Sequence, residues 1–392
     1  MQARWVDTAE ALDELVTELT GVERWAVDTE FHRERTYFAR LALVQIAWED
    51  GIALVDPLRL DLQPLAAVLE GPALMVAHAA DQDLEVIERA CGTVPERLFD
   101  TQVAAGFVGF STPSLASLAE RLLGVRLPKG DRLTDWNRRP LSAGQLSYAA
   151  ADVAHLLDLH DRLTERLDER ARLAWADEEC AKVLARPRGP QDPDTAWWRL
   201  KDSRSLRGAS RGVAQELAAW RERRAVDLDV PPRFVLADLA LLGIAHKPPR
   251  TVADLAEVRG LDAKQARGSL GEAVLAAITR GHDLDPSKLR LSQGDDTDRE
   301  LRAAIALAAA WVAQLSRDEG IDAALLATRA DLALLLNAKG GRLVEGWRRA
   351  MVGVAVLSLA EGDAALAFDG RGGLVLEARS HRPLPMPAPV QP

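Results

Sequence analysis

Over roughly the first 170 residues, short apolar runs alternate with stretches in which apolar positions recur every three or four residues. The first pattern is that of buried strands, the second that of helices packed along one face. Trp25–Phe31, Leu41–Trp48, Ile52–Asp56 and Leu74–Ala79 read as strands. Glu49-Asp50-Gly51 supplies a hairpin turn between the second and third, and Pro57 stops the third. Helical periods cover 62–70, Asp81–Ala90, 101–109, 114–124 and 142–170. A hairpin-joined meander followed by β-α alternation predicts a mixed α/β sheet.

Beyond this the pattern turns helical. Arg186-Pro-Arg-Gly-Pro-Gln-Asp-Pro-Asp194 is a proline-rich break, and Val230-Pro-Pro-Arg233 and Lys247-Pro-Pro-Arg250 mark sharp turns between helices. A polar break over Asp285–Asp298 separates two helical blocks. The blocks share a theme, Leu236-Ala-Asp-Leu-Ala-Leu-Leu242 against Arg329-Ala-Asp-Leu-Ala-Leu-Leu335, which suggests an internal duplication. Five segments follow: an α/β domain over 1–175, a linker over 176–207, helical domains over 208–288 and 289–376, and a disordered proline-rich tail over 377–392.

Composition narrows the function. The 392 residues suit two or three domains. Asp and Glu number 59 against 49 Lys and Arg, a net charge of −10. That excludes binding of nucleic acid by bulk cationic excess, but leaves room for a local basic patch. Two cysteines, Cys91 and Cys180, make neither a disulfide framework nor a zinc cluster and fit a reducing cytoplasm. No apolar run reaches the roughly 20 residues of a membrane span, and Met1-Gln-Ala-Arg-Trp-Val-Asp7 has no signal-peptide character. The expectation is a cytoplasmic monomer with no membrane association and no obligate protein partner.

Three features carry chemistry. Asp28 and Glu30 flank Thr29 in the first strand and, by strand alternation, point the same way. Two carboxylates in mid-strand are costly to bury unless a cation sits between them, though at a strand end both could face water. His78-Ala-Ala-Asp-Gln-Asp83 runs a strand into a helix, with Asp81 placed to cap it and Asp83 projecting from the first turn toward the carboxyl edge of the sheet. Tyr148 and Asp152 stand four apart on a helix and share a face across three alanines.

Together, DxE on the first strand, an Asp opening a later helix and YxxxD on the last long helix resemble the DEDDy 3′-5′ exonucleases. Within that group the chain is similar to the ribonuclease D family. The matching stretches include Val27-Asp-Thr-Glu-Phe31, Arg33-Glu-Arg-Thr-Tyr-Phe38, Leu43-Val-Gln-Ile46, Val55-Asp-Pro57, His78–Val86, Asp100-Thr-Gln102, Lys129–Trp136, Arg139-Pro-Leu141 and Tyr148–Val153. Leu217-Ala-Ala-Trp-Arg-Glu-Arg-Arg224 and Pro231-Pro-Arg-Phe-Val-Leu236 resemble an HRDC domain, and 290–375 resembles a diverged second one.

The resemblance implies a ribonuclease H-like exonuclease domain with a mixed five-stranded sheet, followed by two all-α HRDC-type domains. It implies two Mg²⁺ or Mn²⁺ ions held by Asp28, Glu30, Asp83 and Asp152, with Tyr148 orienting water. Hard divalent ions take carboxylate ligands, and a metal pair about 3.5–4 Å apart can stabilise both ends of an in-line displacement. The implied activity is release of 5′-nucleotides from the 3′ end of RNA, tRNA precursors among the substrates. A DNA exonuclease of repair, and a catalytically silent nucleic-acid-binding protein, use the same residues or none of them.

Lys129, Arg132, Arg138 and Arg139 precede the Tyr148 helix as expected phosphate contacts. A second stripe runs through Arg199, Lys201, Arg204, Arg207, Arg211, Arg221, Arg223 and Arg224, interrupted by Asp202, Glu216 and Glu222. It is the expected footprint of a polyanion, set against an ordinary solvated helix face. His78 reads as a packed strand-end histidine, Trp197 and Trp198 as core, and Asp369-Gly-Arg-Gly-Gly373 as a turn.

Overall fold

The fold is that of a computed structural model describing residues 3–128, 134–291, 301–337 and 340–380. The described chain forms two compact bodies, one of residues 3–104 with 113–291, the other of residues 105–112 with 301–380.

The first body is built on a sheet of order β1-β4-β3-β2-β5-β6: β1 (Arg4–Val6), β2 (Arg24–His32), β3 (Arg40–Trp48), β4 (Gly51–Val55), β5 (Leu74–Ala77) and β6 (Arg97–Asp100). The expected count of five is corrected to six. Two of the strands, Arg4–Val6 and Arg97–Asp100, have only three and four residues, too few to show a period of two. The turn at Glu49-Asp50 makes β3 and β4 antiparallel, whereas strands reached through helices pair in parallel, β1 with β4 and β2 with β5 with β6.

Helices of this body are α1 (Ala9–Thr20), α2 (Ala66–Leu69), α3 (Asp81–Cys91), α4 (Thr101–Gly106), α5 (Leu115–Leu123), α6 (Ala143–Ala154), α7 (Leu156–Asp168) and α8 (Leu173–Leu184), with the end of α4 passing into the second body. The helical period over 142–170 is two helices rather than one, broken at His155 with φ −119° and ψ 8°. One sheet face, with Val27, Val44 and Ile46, packs on α1, α2 and α3 through Leu12, Leu15, Val68, Leu84 and Ile87. The other, with Leu43 and Leu54, packs on α6 through Ala149.

Central strand β2 is longer than its neighbour β5, which pairs only with Arg24, Trp25 and Ala26. From Val27 onward β2 runs beyond its pairing with β5, and the sequence there is Val-Asp-Thr-Glu.

The expected linker at 176–207 is much shorter. Cys180 and Val183 of α8 lie in the sheet core, and the Asp100 N–H donates to Cys180 Sγ at 3.3 Å. Ala196, Trp197, Leu200 and Leu206 belong to the core of the helical module that follows. Residues 185–192 remain between the two. The module comprises α9 (Ala209–Leu228), α10 (Pro232–Val235), α11 (Asp238–His246), α12 (Val252–Ala256), α13 (Ala263–Ala266) and α14 (Ser269–His282). Helices α9 and α14 touch at glycine: a Cβ on Gly212 would lie 2.3 Å from the Gly281 carbonyl oxygen. The module is tied to the sheet domain by Tyr37, whose hydroxyl donates to Glu222 at 2.5 Å, and by Phe38, whose N–H donates to Asp229 at 3.1 Å.

The second body holds α15 (Leu301–Glu319), α16 (Ala323–Leu326), α17 (Arg329–Leu336), α18 (Gly346–Arg348), a π-helical turn over Arg349–Gly353 and α19 (Val354–Glu361). It ends in an antiparallel hairpin of β7 (Ala364–Phe368) and β8 (Leu374–Ala378), so the expected all-α second domain is not all helical. Asp369–Gly373 is the hairpin turn, as expected, with Asp369 accepting from the Arg371 and Gly373 amides. The two repeated Leu-rich stretches fall on α11 and α17. Glu377 and Ala378, expected in the tail, belong to β8; residues 381–392 of that tail lie outside the described residues.

Candidate active site

Pairing places Asp28 opposite Gln45 and Glu30 opposite Leu43, on the face that α6 covers. Helix α6 begins in a capping box, where Ser142 accepts from the Gln145 amide and Gln145 from the Ser142 amide. Two turns on it presents Tyr148, partly buried with its ring 6.1 Å from that of Trp136, and then Asp152. Carboxylate oxygens of Asp28, Glu30 and Asp152 all lie within 4.8 Å of one another, a spacing a single cation can bridge.

Asp83 arrives from the opposite face. It is buried in the first turn of α3 and accepts a hydrogen bond from the Thr29 hydroxyl, on the alternate face of β2. Asp83 is therefore held beside the three-acid cluster rather than within its 4.8 Å span.

The turn that delivers Asp83 is held from β6. Asp100 is buried and accepts from the amides of Ala79 at 3.0 Å, Ala80 at 2.8 Å and Gln102 at 2.8 Å. Ala79 has φ +59°, a left-handed conformation unusual for alanine and of the kind that gathers at functional turns. Asp81 is not the cap expected of it. It is the first helical residue, and its carboxylate pairs with Arg186 at 3.0 Å. His78 is packed as expected, bonded through Nδ1 to Thr101 and through Nε2 to the Pro113 carbonyl, and burial pushes its pKa down.

The electrostatics are those of buried carboxylates that repel one another. Removal from water, followed by the charges of Asp83, Asp152 and Glu30, pushes the Asp28 carboxyl well above the usual carboxylate range. Burial raises Asp83 to about 7, with the Asp100 charge adding and the Thr29 hydroxyl opposing. A divalent cation removes this repulsion, and four carboxylates are the hard oxygen donors that Mg²⁺ and Mn²⁺ take. The residues present fit such ions.

The expected phosphate contacts divide. Lys129 and Arg132 lie outside the described residues. Arg138 is exposed. Arg139 is corrected: its guanidinium grips both oxygens of Asp56 at 2.7 Å, the Trp136 carbonyl at 2.7 Å and the Ala42 carbonyl at 2.6 Å. Asp56 is only 1% exposed. Ala42 is the extra residue of a β-bulge, skipped where Glu30 pairs with Leu43 and Phe31 with Leu41. Arg139 satisfies the carbonyl that the bulge disrupts, one step from Glu30, while anchoring the chain that enters α6. The fifth N–H goes to the Arg138 carbonyl at 3.1 Å, so none is left over for a phosphate.

In the second stripe Arg221 is likewise corrected. It is 5% exposed and paired with Asp238 at 2.5 Å and the Leu236 carbonyl at 3.0 Å. Arg207 and Arg211 both donate to the Leu206 carbonyl, and Arg199 pairs with buried Glu222. Arg204, Arg223 and Arg224 are exposed. Trp197 is core, as expected, whereas Trp198 is 38% exposed.

Thr29, Asp100 and Gln45 escaped the sequence reading. Thr29 could have been found from alternation, since the residue between two site acids must face the other side of the strand.

Residues 3–168 match the 3′-5′ exonuclease family and residues 210–278 the HRDC domain family. The chain is 37% identical over 372 residues to ribonuclease D of Gluconacetobacter diazotrophicus, covering 93% of this chain and 94% of that protein. It is 38% identical to ribonuclease D of Jannaschia sp., covering 90% and 93%. Among solved structures it is similar to Escherichia coli RNase D, an exoribonuclease involved in structured RNA processing. There the TM-score is 0.82 at 30% identity, covering 92% of this chain and 99% of that one.

Proposed function

The chain belongs to the ribonuclease D family and is a 3′-5′ exonuclease, and from that premise we propose that it shortens RNA from the 3′ end with two divalent metal ions. The observation that carries the reading is the convergence of Asp28, Glu30 and Asp152 within 4.8 Å, with Asp83 alongside. Asp28, Glu30, Asp83 and Asp152 are the metal ligands in this reading. A metal pair supplies an activated water and charge stabilisation at the attacked phosphodiester.

The protein's own part is placement. Tyr148, its ring tilted beside that of Trp136 on the helix that carries Asp152, orients the attacking water through its hydroxyl. Arg138, with Lys129 and Arg132, receives backbone phosphates near the start of α6, and Arg204, Arg223 and Arg224 extend that basic surface on the helical module. The RNase D of E. coli acts in structured RNA processing, and tRNA precursors are the substrates expected here. Among the described residues no helix is long and apolar enough to cross a membrane. We expect the enzyme to act in the cytoplasm as a monomer.

The test incubates the protein with 5′-labelled RNA and the matching DNA, each with a single-stranded 3′ tail, under Mg²⁺, Mn²⁺ or EDTA, beside Asp28→Ala. A metal-dependent ladder on RNA, lost in the variant, is the expected result. Equal or faster shortening of DNA would assign the enzyme to DNA instead. Binding with no shortening of either would refute the catalytic assignment.

A further inference from the structure

Gln45 is a polar side chain for which the fold alone gives no reason. It sits in the middle of β3, is fully buried, and neither its Nε2 nor its Oε1 has a hydrogen-bond partner among the described residues. A buried, unpaired carboxamide is destabilising, and such groups are rare in folded proteins without a functional cause. Its neighbours along the strand are Leu43, Val44, Ile46 and Ala47, all buried and apolar, so any aliphatic residue would fill the position without that burden.

The register shows what the amide faces. Residues directly opposite in an antiparallel pair share a face, with Cβ atoms about 5 Å apart. Gln45 has two such neighbours, Leu54 on β4 and Asp28 on β2. Leu43 lies two residues along the same face and Ala149 covers it from α6. Of these four only Asp28 has a polar side chain.

We propose that Gln45 is a positioning residue for Asp28, its Nε2–H donating to the Asp28 carboxylate when that carboxylate holds a metal ion. The inference rests on the metal-site reading above. A ligating carboxylate is aimed by the hydrogen bonds it accepts, and loss of such outer partners weakens metal binding. Gln45 Nε2 has no partner among the described residues and is free to make this bond. The unpaired amide is thus a stability cost accepted for a function, which gives the test two readouts of opposite sign.

Gln45→Met keeps the length of the side chain and removes both polar atoms. The full-length variant is titrated with Mn²⁺ alone by calorimetry, and its Tm is measured in EDTA. The expected result is Mn²⁺ affinity lowered on the order of tenfold, with Tm in EDTA unchanged or raised and KM for RNA unchanged. A purely structural glutamine predicts the reverse sign in EDTA, a lower Tm. Mn²⁺ affinity equal to wild type, or a fall in Tm in EDTA, overturns the proposal. Should Gln45→Met not fold, Gln45→Asn keeps the polarity but withdraws the amide by one methylene, and must still weaken Mn²⁺ binding. Asp28→Ala separates the two levels of the argument. A wild type that binds no more Mn²⁺ than Asp28→Ala overturns the metal site and Gln45 with it, whereas a metal site intact in Gln45→Met overturns Gln45 alone.

Discussion

Asp83→Asn should stabilise the metal-free protein, and more so as the pH rises. Burial holds the Asp83 carboxyl at about 7, against 3.8 for an ordinary aspartate. Between those values the folded state keeps a proton that the unfolded chain has released. Stability falls with rising pH wherever the folded state binds more protons. The penalty is therefore absent below about pH 4, accumulates toward pH 7 and is complete above it. At about 1.4 kcal/mol per unit, the rise amounts to about 4 kcal/mol at pH 8, with roughly a third of it present at pH 5. Asp28, pushed up by burial and by three carboxylates, acts in the same direction in both proteins. Asparagine removes the charge at 83 while its Oδ1 still accepts from Thr29. For a domain of this size the gap at pH 8 is on the order of 10 °C in Tm. Calorimetric scans of both proteins in EDTA at pH 5 and pH 8 measure it. Adding Mn²⁺ at pH 8 should narrow the gap, because the ion binds the folded wild type and lifts its Tm. Wild-type and variant melting curves that stay parallel between pH 5 and pH 8 in EDTA would refute the claim that burial raises the Asp83 carboxyl.

Two further substitutions separate chemistry from architecture. Tyr148→Phe keeps the ring beside Trp136 and removes only the hydroxyl, so kcat should fall roughly 10²-fold with KM nearly unchanged; single-turnover and steady-state assays on 5′-labelled RNA measure both. Arg139→Met leaves Asp56 buried and unpaired and should cost about 3 kcal/mol of stability, read by denaturant unfolding, with KM for RNA unchanged. A raised KM at unchanged stability would restore Arg139 as a phosphate contact.

What the sequence reveals depends on how local the cause is. The long strands were legible because Leu41–Trp48 and Trp25–Phe31 carry their pattern within one segment. Arg4–Val6 and Arg97–Asp100 are strands only because longer neighbours pair with them, and three or four residues hold too little pattern to announce it. Helix α8 and the Trp197 segment read as linker for a related reason. Prolines at 187, 190 and 193 mark a break correctly, but not that the flanking residues on either side are already in two cores.

The site follows the same rule with a sharper edge. Asp28, Glu30, Tyr148 and Asp152 could be read directly, because two carboxylates two apart on a strand, and a tyrosine four before an aspartate on a helix, each fix a common face. Asp83 was legible from its place at the start of a helix, though not the Thr29 hydroxyl that holds it. Arg139 and Arg221 are not legible as structural residues because charge alone does not distinguish a solvated cation from a buried one. Arg139 and Arg138 are adjacent and chemically identical, yet one spans β3, the end of β4 and the entry to α6 while the other faces solvent. The difference lies in Asp56 and in the bulge at Ala42, 83 and 97 residues away. Gln45 is the converse case, a polar residue in an apolar strand that sequence patterning counts as a minor blemish. Only the register, which sets it against Asp28 and Leu54, turns that blemish into a question about the metal ligand it faces.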